Sequence, residues 1–217
     1  MHFFFGLSNN NVKIQNEREY KIMNNNISVL FVGNSYTYYN DMPHDFFVKE
    51  ASAAVYSVNV TSITKGGAYL SQFADMKSEQ GKKLREIIGG HHYDFAVLQD
   101  QSINPIIDEG RFLNSVRNLK ELIDAEHFVL YATWGRNAGS PQLVELDLTT
   151  EQMTEKLSIA YNKAAQLYNM RVAEVGKAFM NYELRNDLYN ADRSHPSSTG
   201  SMVAAHVIFE TIESFLL

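Results

Sequence analysis

Ile27-Ser28-Val29-Leu30-Phe31-Val32-Gly33-Asn34-Ser35-Tyr36-Thr37 is a run of β-branched, aromatic and aliphatic residues that ends abruptly in glycine, asparagine and serine. A short apolar run bounded by such residues predicts a buried strand delivering a serine to the C-terminal edge of a sheet. Open α/β sheets bind ligands at that edge. No helix signal follows until Pro43, so Ser35 is expected in a loop. Gly, Asn and Ser are also favoured turn residues. Taken alone, the stretch leans towards an ordinary turn, and the rest of the chain has to decide.

Outward from this stretch, strand and helix patterns alternate. Pro43 stands at a plausible first helical position, and Phe46, Phe47, Ala51 and Ala54 then recur at helical spacing over 43–55. A second strand is expected over 58–63, ending in Lys65-Gly66-Gly67, followed by one broken or two short helices over 70–88. Residues 93–98 form a third strand ending in Gln99-Asp100-Gln101-Ser102. A helix over 108–125 then carries Phe112, Val116, Leu119 and Ile123 on one stripe. A fourth strand over 128–133 leads into Trp134-Gly135, and 137–148 is a loop. Thr149 and Gln152 have the spacing of a capping box and open a helix to about Met170. A short fifth strand over 171–175, a helix over 177–188, a polar loop and a closing apolar helix over 199–215 complete the chain. Five strands alternating with helices imply an α/β fold, a three-layer α/β/α sandwich around a five-stranded parallel sheet.

The chain has 217 residues, 45% hydrophobic and 20% charged, with a net charge of −6 and no cysteine. This is the length and composition of one globular domain, assigned to 27–217. The acidic balance argues against nucleic-acid binding, which needs a dense basic surface. Without cysteine, disulfides, thiolate metal sites and cysteine nucleophiles are excluded. Residues 1–26 differ from the rest, with Phe3, Phe4 and Phe5 followed by Asn-rich polar sequence, and are treated as an N-terminal extension. The apolar run there is too short for a secretory signal and no stretch is long enough to span a membrane, so a cytoplasmic location is the default expectation.

In a parallel sheet all strand C-termini share one edge. Ser35 follows the first strand, Gly66 and Gly67 the second, Gln99 to Gln101 the third, and Asp192 and His195 lie beyond the fifth. These segments can therefore converge although they are far apart in sequence. A serine nucleophile needs a base, usually histidine, a carboxylate to orient the imidazole, and preorganised donors for the tetrahedral oxyanion. Ser35, His195 and Asp192 are the candidates for the first three. The N–H groups of Ser35 and Gly67, with the amide of Gln101 or of Gln99, are the candidate donors. Trp134 and Tyr36 fall at strand ends on the same edge, where an aromatic serves equally well as subsite wall or as core.

With these residues in place, the sequence resembles the SGNH (GDSL-type) hydrolases over nearly all of 27–217. Gly33-Asn34-Ser35 matches the first family block, Gly67 sits where the oxyanion glycine belongs, and Asp192-Arg193-Ser194-His195 matches the last block. The third block departs from the family: Gln99-Asp100-Gln101-Ser102 replaces the usual Gly-x-Asn-Asp, as in a less-studied bacterial branch. The resemblance implies a flavodoxin-like fold and a serine ester hydrolase working through an acyl-enzyme. It implies no cofactor and no metal. The substrate class it points to is small acyl esters, carbohydrate O-acetyl esters first. The competing reading is a degenerate module of the same fold that binds a small ligand or partner, and its support is the altered third block. An α/β-hydrolase is disfavoured, because its nucleophile sits in Gly-x-Ser-x-Gly deep in the chain.

The remaining histidines have plainer readings. His91 and His92 are expected in a surface turn, His206 as a partly buried packing residue, and His44 at a helix start. Asp100 is expected to make structural hydrogen bonds, since a second carboxylate near an oxyanion would oppose its charge.

Overall fold

In a computed structural model, which describes residues 25–217, the opening stretch forms strand β1, Asn26–Gly33. Its side chains alternate between two cores. Leu30 and Val32 pack on one side of the sheet, Val29 and Phe31 on the other, and all four are fully buried. Burial on both faces is what a central parallel strand requires, and it explains the near-continuous apolar sequence.

The chain continues through helix α1 (Ser35–Tyr38), a 3₁₀ turn (Tyr39–Asp41), α2 (Phe46–Ala53), β2 (Ser57–Thr64), α3 (Leu70–Ala74), α4 (Glu79–Ile88) and β3 (Tyr93–Leu98). Then follow α5 (Asn104–Ile107), α6 (Glu109–Leu122), β4 (Ala125–Tyr131), α7 (Pro141–Glu145), α8 (Thr150–Tyr168), β5 (Arg171–Ala173), α9 (Val175–Asn181), a 3₁₀ turn (Arg185–Leu188) and α10 (Ser198–Glu213). The five strands are all parallel, in the order β2-β1-β3-β4-β5. Helices α3, α4, α6 and α8 bury Phe73, Leu84, Phe112 and Leu157 against one face. Helices α2, α9 and α10 bury Phe47, Phe179 and Ile208 against the other. The three-layer α/β/α sandwich expected from the alternation is the observed architecture.

The order of strands has a functional consequence. The chain passes from β1 to β2 on one side and then crosses to β3 on the other side of β1, so a crevice opens between the C-terminal ends of β1 and β3, the usual ligand position in such sheets. Ser35 and Gln101 follow these two strands.

Several local expectations are corrected. Helix begins at Ser35, eight residues before Pro43, because Asn34 caps it: the Asn34 side chain accepts from the Tyr36 N–H at 3.1 Å. The helix expected from Pro43 starts at Phe46. The expected loop 137–148 contains α7, and α5 was not anticipated. The helix expected over 177–188 is split, since α9 stops at Asn181 and a separate 3₁₀ turn follows. The capping box at Thr149 and Gln152 is formed, with both reciprocal hydrogen bonds present. The proposed extension 1–26 lies outside the described residues except for Asn25 and Asn26, and Asn26 already belongs to β1. No helix among the described residues is long and apolar enough to cross a membrane.

Phe95 lies on β3, the middle strand, fully buried and in edge contact with Phe215, with ring centroids 5.6 Å apart. Phe95→Ala is expected to destabilise the fold by about 3–5 kcal/mol, measured by urea denaturation.

Candidate active site

The end of β1 is held by two side-chain amides. Gln99, buried at the end of β3, accepts through Oε1 from the Asn34 N–H and from the Thr37 hydroxyl, both at 2.9 Å. Asn34 donates through Nδ2 to the Ala68 carbonyl at 3.1 Å, tying this turn to the one after β2. Gly33 is required by this arrangement: a Cβ there would lie 2.4 Å from Thr37 Oγ1 and 2.8 Å from Gln99 Oε1. The turn therefore fixes Ser35 as the first residue of α1, where its N–H has no intrahelical acceptor.

Across the crevice, the Asp192–His195 segment forms a tight loop. The Asn190 N–H donates to the His195 carbonyl at 2.9 Å, and Arg193 adopts a left-handed conformation with φ of 62°. Asp192 accepts through Oδ1 from the backbone N–H groups of Ser194 (3.0 Å) and His195 (2.9 Å). Its Oδ2 faces His195 Nδ1 at 2.5 Å, and His195 Nε2 faces Ser35 Oγ at 2.9 Å. An ionised carboxylate only accepts, so Nδ1 carries the proton and Nε2 is left to accept from the serine hydroxyl. Burial pushes the Asp192 carboxyl up, but the His195 ring and the two backbone donors outweigh it and hold the group below its ordinary value. Tyr39 stacks on the imidazole at 4.3 Å and 14°, which restricts ring rotation.

Gly67 occupies the third position of a turn closed by the Ala68 N–H to the Lys65 carbonyl at 3.0 Å. Its φ of 69° suits glycine. Ser35, Gly67, Gln101, Asp192 and His195 all line one cleft with a volume of about 450 Å³. A larger surface groove of about 1070 Å³, between 137–152 and 183–187, contains none of these residues.

The two glutamines have separate fates. Gln101 lines the cleft; its Oε1 accepts from the N–H groups of Ile103 (2.9 Å) and Asn104 (3.2 Å), which leaves the amide NH₂ free of backbone partners. Gln99 is not among the cleft residues, and its own NH₂ is taken by the Asp100 carbonyl. As a candidate oxyanion donor Gln99 is corrected: its oxygen is taken by the turn at Ser35 and its NH₂ by the Asp100 carbonyl. Trp134 is also corrected from subsite to core. It is fully buried, stacked between Tyr36 (4.7 Å) and Phe179 (4.1 Å), with Nε1 donating to the Ser194 carbonyl at 3.0 Å. Asp100 is buried and receives the Leu70 N–H at 2.7 Å, the Gln101 N–H at 2.8 Å and Asn104 Nδ2 at 2.5 Å.

Of the other histidines, His92 bonds Asp124 at the surface, His44 bonds Ser62 Oγ at 2.8 Å, and neither lines the cleft. His206 is exposed rather than packed, between Glu50 and Glu210. No group of residues among those described has the arrangement of a metal site. Sequence reasoning missed Arg136, Ser102 and Ser194, which line the cleft, and Tyr39. Arg136 follows Trp134-Gly135 at the same sheet edge as the other candidates, and that position was the available signal.

A parallel α/β/α sheet with a serine, a histidine and a carboxylate in hydrogen-bonded order at its switch point defines a serine hydrolase of flavodoxin-like topology. Comparison with known proteins narrows this. No protein-family model and no curated protein matches the sequence. Among solved structures, a protein from Slackia heliotrinireducens assigned to the SGNH hydrolases is 31% identical, covering 87% of this chain and 100% of that one with a TM-score of 0.76. A lipase/acylhydrolase from Enterococcus faecalis is 17% identical (87% and 96% covered, TM-score 0.68). A mutant acetyl-xylooligosaccharide esterase from Geobacillus stearmophilus is 15% identical (86% and 94% covered, TM-score 0.61). The chain belongs to the SGNH hydrolase superfamily and is an SGNH-type serine ester hydrolase.

Gln99→Leu tests the support for the Ser35 turn. It would leave the buried Asn34 N–H and Thr37 hydroxyl without an acceptor, at about 1–3 kcal/mol for each bare group. The expected outcome is a lowered urea midpoint together with reduced activity.

Proposed function

We propose that Ser35 is the nucleophile, His195 the general base and acid, and Asp192 the residue that orients and stabilises the imidazolium. Ser35 Oγ attacks the ester carbonyl carbon while its proton passes to His195 Nε2. The tetrahedral oxyanion is met by the N–H groups of Ser35 and Gly67 and by the Gln101 NH₂. His195 then gives its proton to the departing alcohol oxygen as the C–O bond breaks, leaving an acyl group on Ser35. Water repeats the sequence, with His195 as base, and releases the acid.

The observation that carries this reading is the unbroken chain Ser35–His195–Asp192, with contacts of 2.9 and 2.5 Å. For substrate, the reading is a small acyl group on a polar alcohol, carbohydrate O-acetyl esters first. The cleft walls support it: Ser102, Arg136, Gln101 and Gln142 line it, and a volume of about 450 Å³ suits an acetyl group and a sugar ring better than a long acyl chain. The acetyl-xylooligosaccharide esterase of the same fold offers a precedent for that chemistry.

Ser35→Ala is expected to abolish hydrolysis of p-nitrophenyl acetate and labelling by a fluorophosphonate probe while the thermal midpoint stays within a few degrees. Undiminished turnover in this variant would overturn the assignment. Asp192→Asn should lower kcat by about 10³–10⁴-fold, since an amide can present the wrong tautomer to His195. Gln101→Ala should lower kcat by about 10²–10³-fold, the effect of removing one oxyanion donor. The same substitution at Gln101 bares the Ile103 N–H but leaves the Asn104 N–H its bond to the Gln101 backbone carbonyl, so it should cost less stability than Gln99→Leu.

A further inference from the structure

Arg136 presents its charge to the cleft without a counter-ion. Its Nη1 donates to Ser194 Oγ at 2.6 Å and its Nη2 to Ser102 Oγ at 3.1 Å, both neutral hydroxyls. Its Nε is buried and has no hydrogen-bond partner. Arg111 and Arg185, by contrast, each lie against a carboxylate, Asp108 and Glu151. The other charged group of the cleft, Asp192, is committed to the far side of the imidazole ring, and Arg136 makes no ion pair among the described residues. A partly buried charge is normally paired, because hydroxyl groups replace its lost hydration poorly. Here the two serines orient the guanidinium, and Ser194 is itself fixed by the Tyr36 hydroxyl at 2.7 Å. The side chain is thus held in place, preorganised, with its charge unanswered. That is the condition in which an anionic group of a ligand gains most.

Resting on the ester-hydrolase reading of Ser35, we propose that Arg136 is a specificity residue and that the preferred substrates are esters bearing a carboxylate close to the scissile bond. Two sources share this chemistry. The carboxylate belongs either to the alcohol part, as in an acetylated acidic sugar, or to the acyl part, as in a half-ester of a dicarboxylic acid. In a chain of net charge −6, general attraction of anions is not available, so discrimination has to come from a local cation.

The test uses matched pairs of esters on the full chain. One pair is an O-acetylated methyl galacturonoside against the O-acetylated methyl galactoside. The other is phenyl hydrogen adipate against phenyl hexanoate. The wild type is expected to favour the anionic member of at least one pair by tenfold or more in kcat/KM, and the pair that responds identifies which part carries the carboxylate. Arg136→Gln should bring that ratio close to one, and Arg136→Lys should retain part of it, with thermal unfolding showing both variants folded. Equal kcat/KM within both pairs in the wild type would overturn the proposal. So would an Arg136→Gln variant that lowers both members of the favoured pair by the same factor, since Arg136 would then serve every ester alike. Failure of the underlying reading is separately visible: p-nitrophenyl acetate would still be cleaved by Ser35→Ala.

Discussion

The carboxamide of Gln99 decides where the serine stands. Its oxygen takes two hydrogen bonds from the turn after β1, one from a backbone N–H and one from the Thr37 hydroxyl. Its nitrogen is anchored to the carbonyl of Asp100, the next residue in the segment that follows β3. The amide therefore bolts the end of β1 to the end of β3 inside the protein, where no water competes for its partners. Gly33 has no side chain because this amide passes over it. Asn34 continues the same network towards β2. Three neighbouring strands are thereby registered against one another at the edge where Ser35 emerges.

This explains the altered third block. Two glutamines stand where the family usually has glycine and asparagine, and they divide the work. Gln99 points inward and supports the turn at Ser35, whereas Gln101 lines the cleft with its side-chain carbonyl pinned by the Ile103 and Asn104 N–H groups. Asp100, between them, is buried and saturated by N–H donors from α3, from the chain itself and from Asn104. It fixes the loop that carries Gln101, and every one of its partners is a hydrogen-bond donor. Burial pushes its carboxyl above the ordinary value, and these hydrogen bonds and the Arg111 charge pull the other way.

The fold was legible because strand and helix periods alternate cleanly and β1 and β3 are apolar on both faces. Helix starts were legible where a side chain caps them at standard spacing, as at Thr149. They were missed at Ser35, where a single helical turn is held by Asn34 and by contacts from β3 that no local pattern reveals. That Ser35, Gly67, Gln101, Asp192 and His195 meet at one cleft could be expected from topology together with the chemistry of their residue types, since a parallel sheet sends every strand end to one edge. What topology could not supply was direction. Whether Gln99 or Gln101 faces the cleft depends on the pleat and on partners far away in sequence. Trp134 leaves the same edge but is drawn beneath it by stacking on Tyr36 and Phe179.

The burial of Trp134 in turn shapes the cleft. The indole fills the space behind the Asp192–His195 loop and donates to the Ser194 carbonyl. Its stacking partner Tyr36, next to Ser35 in the chain, reaches Ser194 Oγ from the other side. Ser194 thus joins three elements: the loop bearing the imidazole, the helix bearing Ser35, and Arg136 beyond β4. An apolar residue at position 194 could not make these bonds, and neither could a larger one in so enclosed a place, where Ser194 is 5% exposed. The middle residues of the Asp192–His195 segment therefore carry structural information of their own. Asp192 and His195 bracket them, and Ser194 holds the Arg136 guanidinium at the cleft wall.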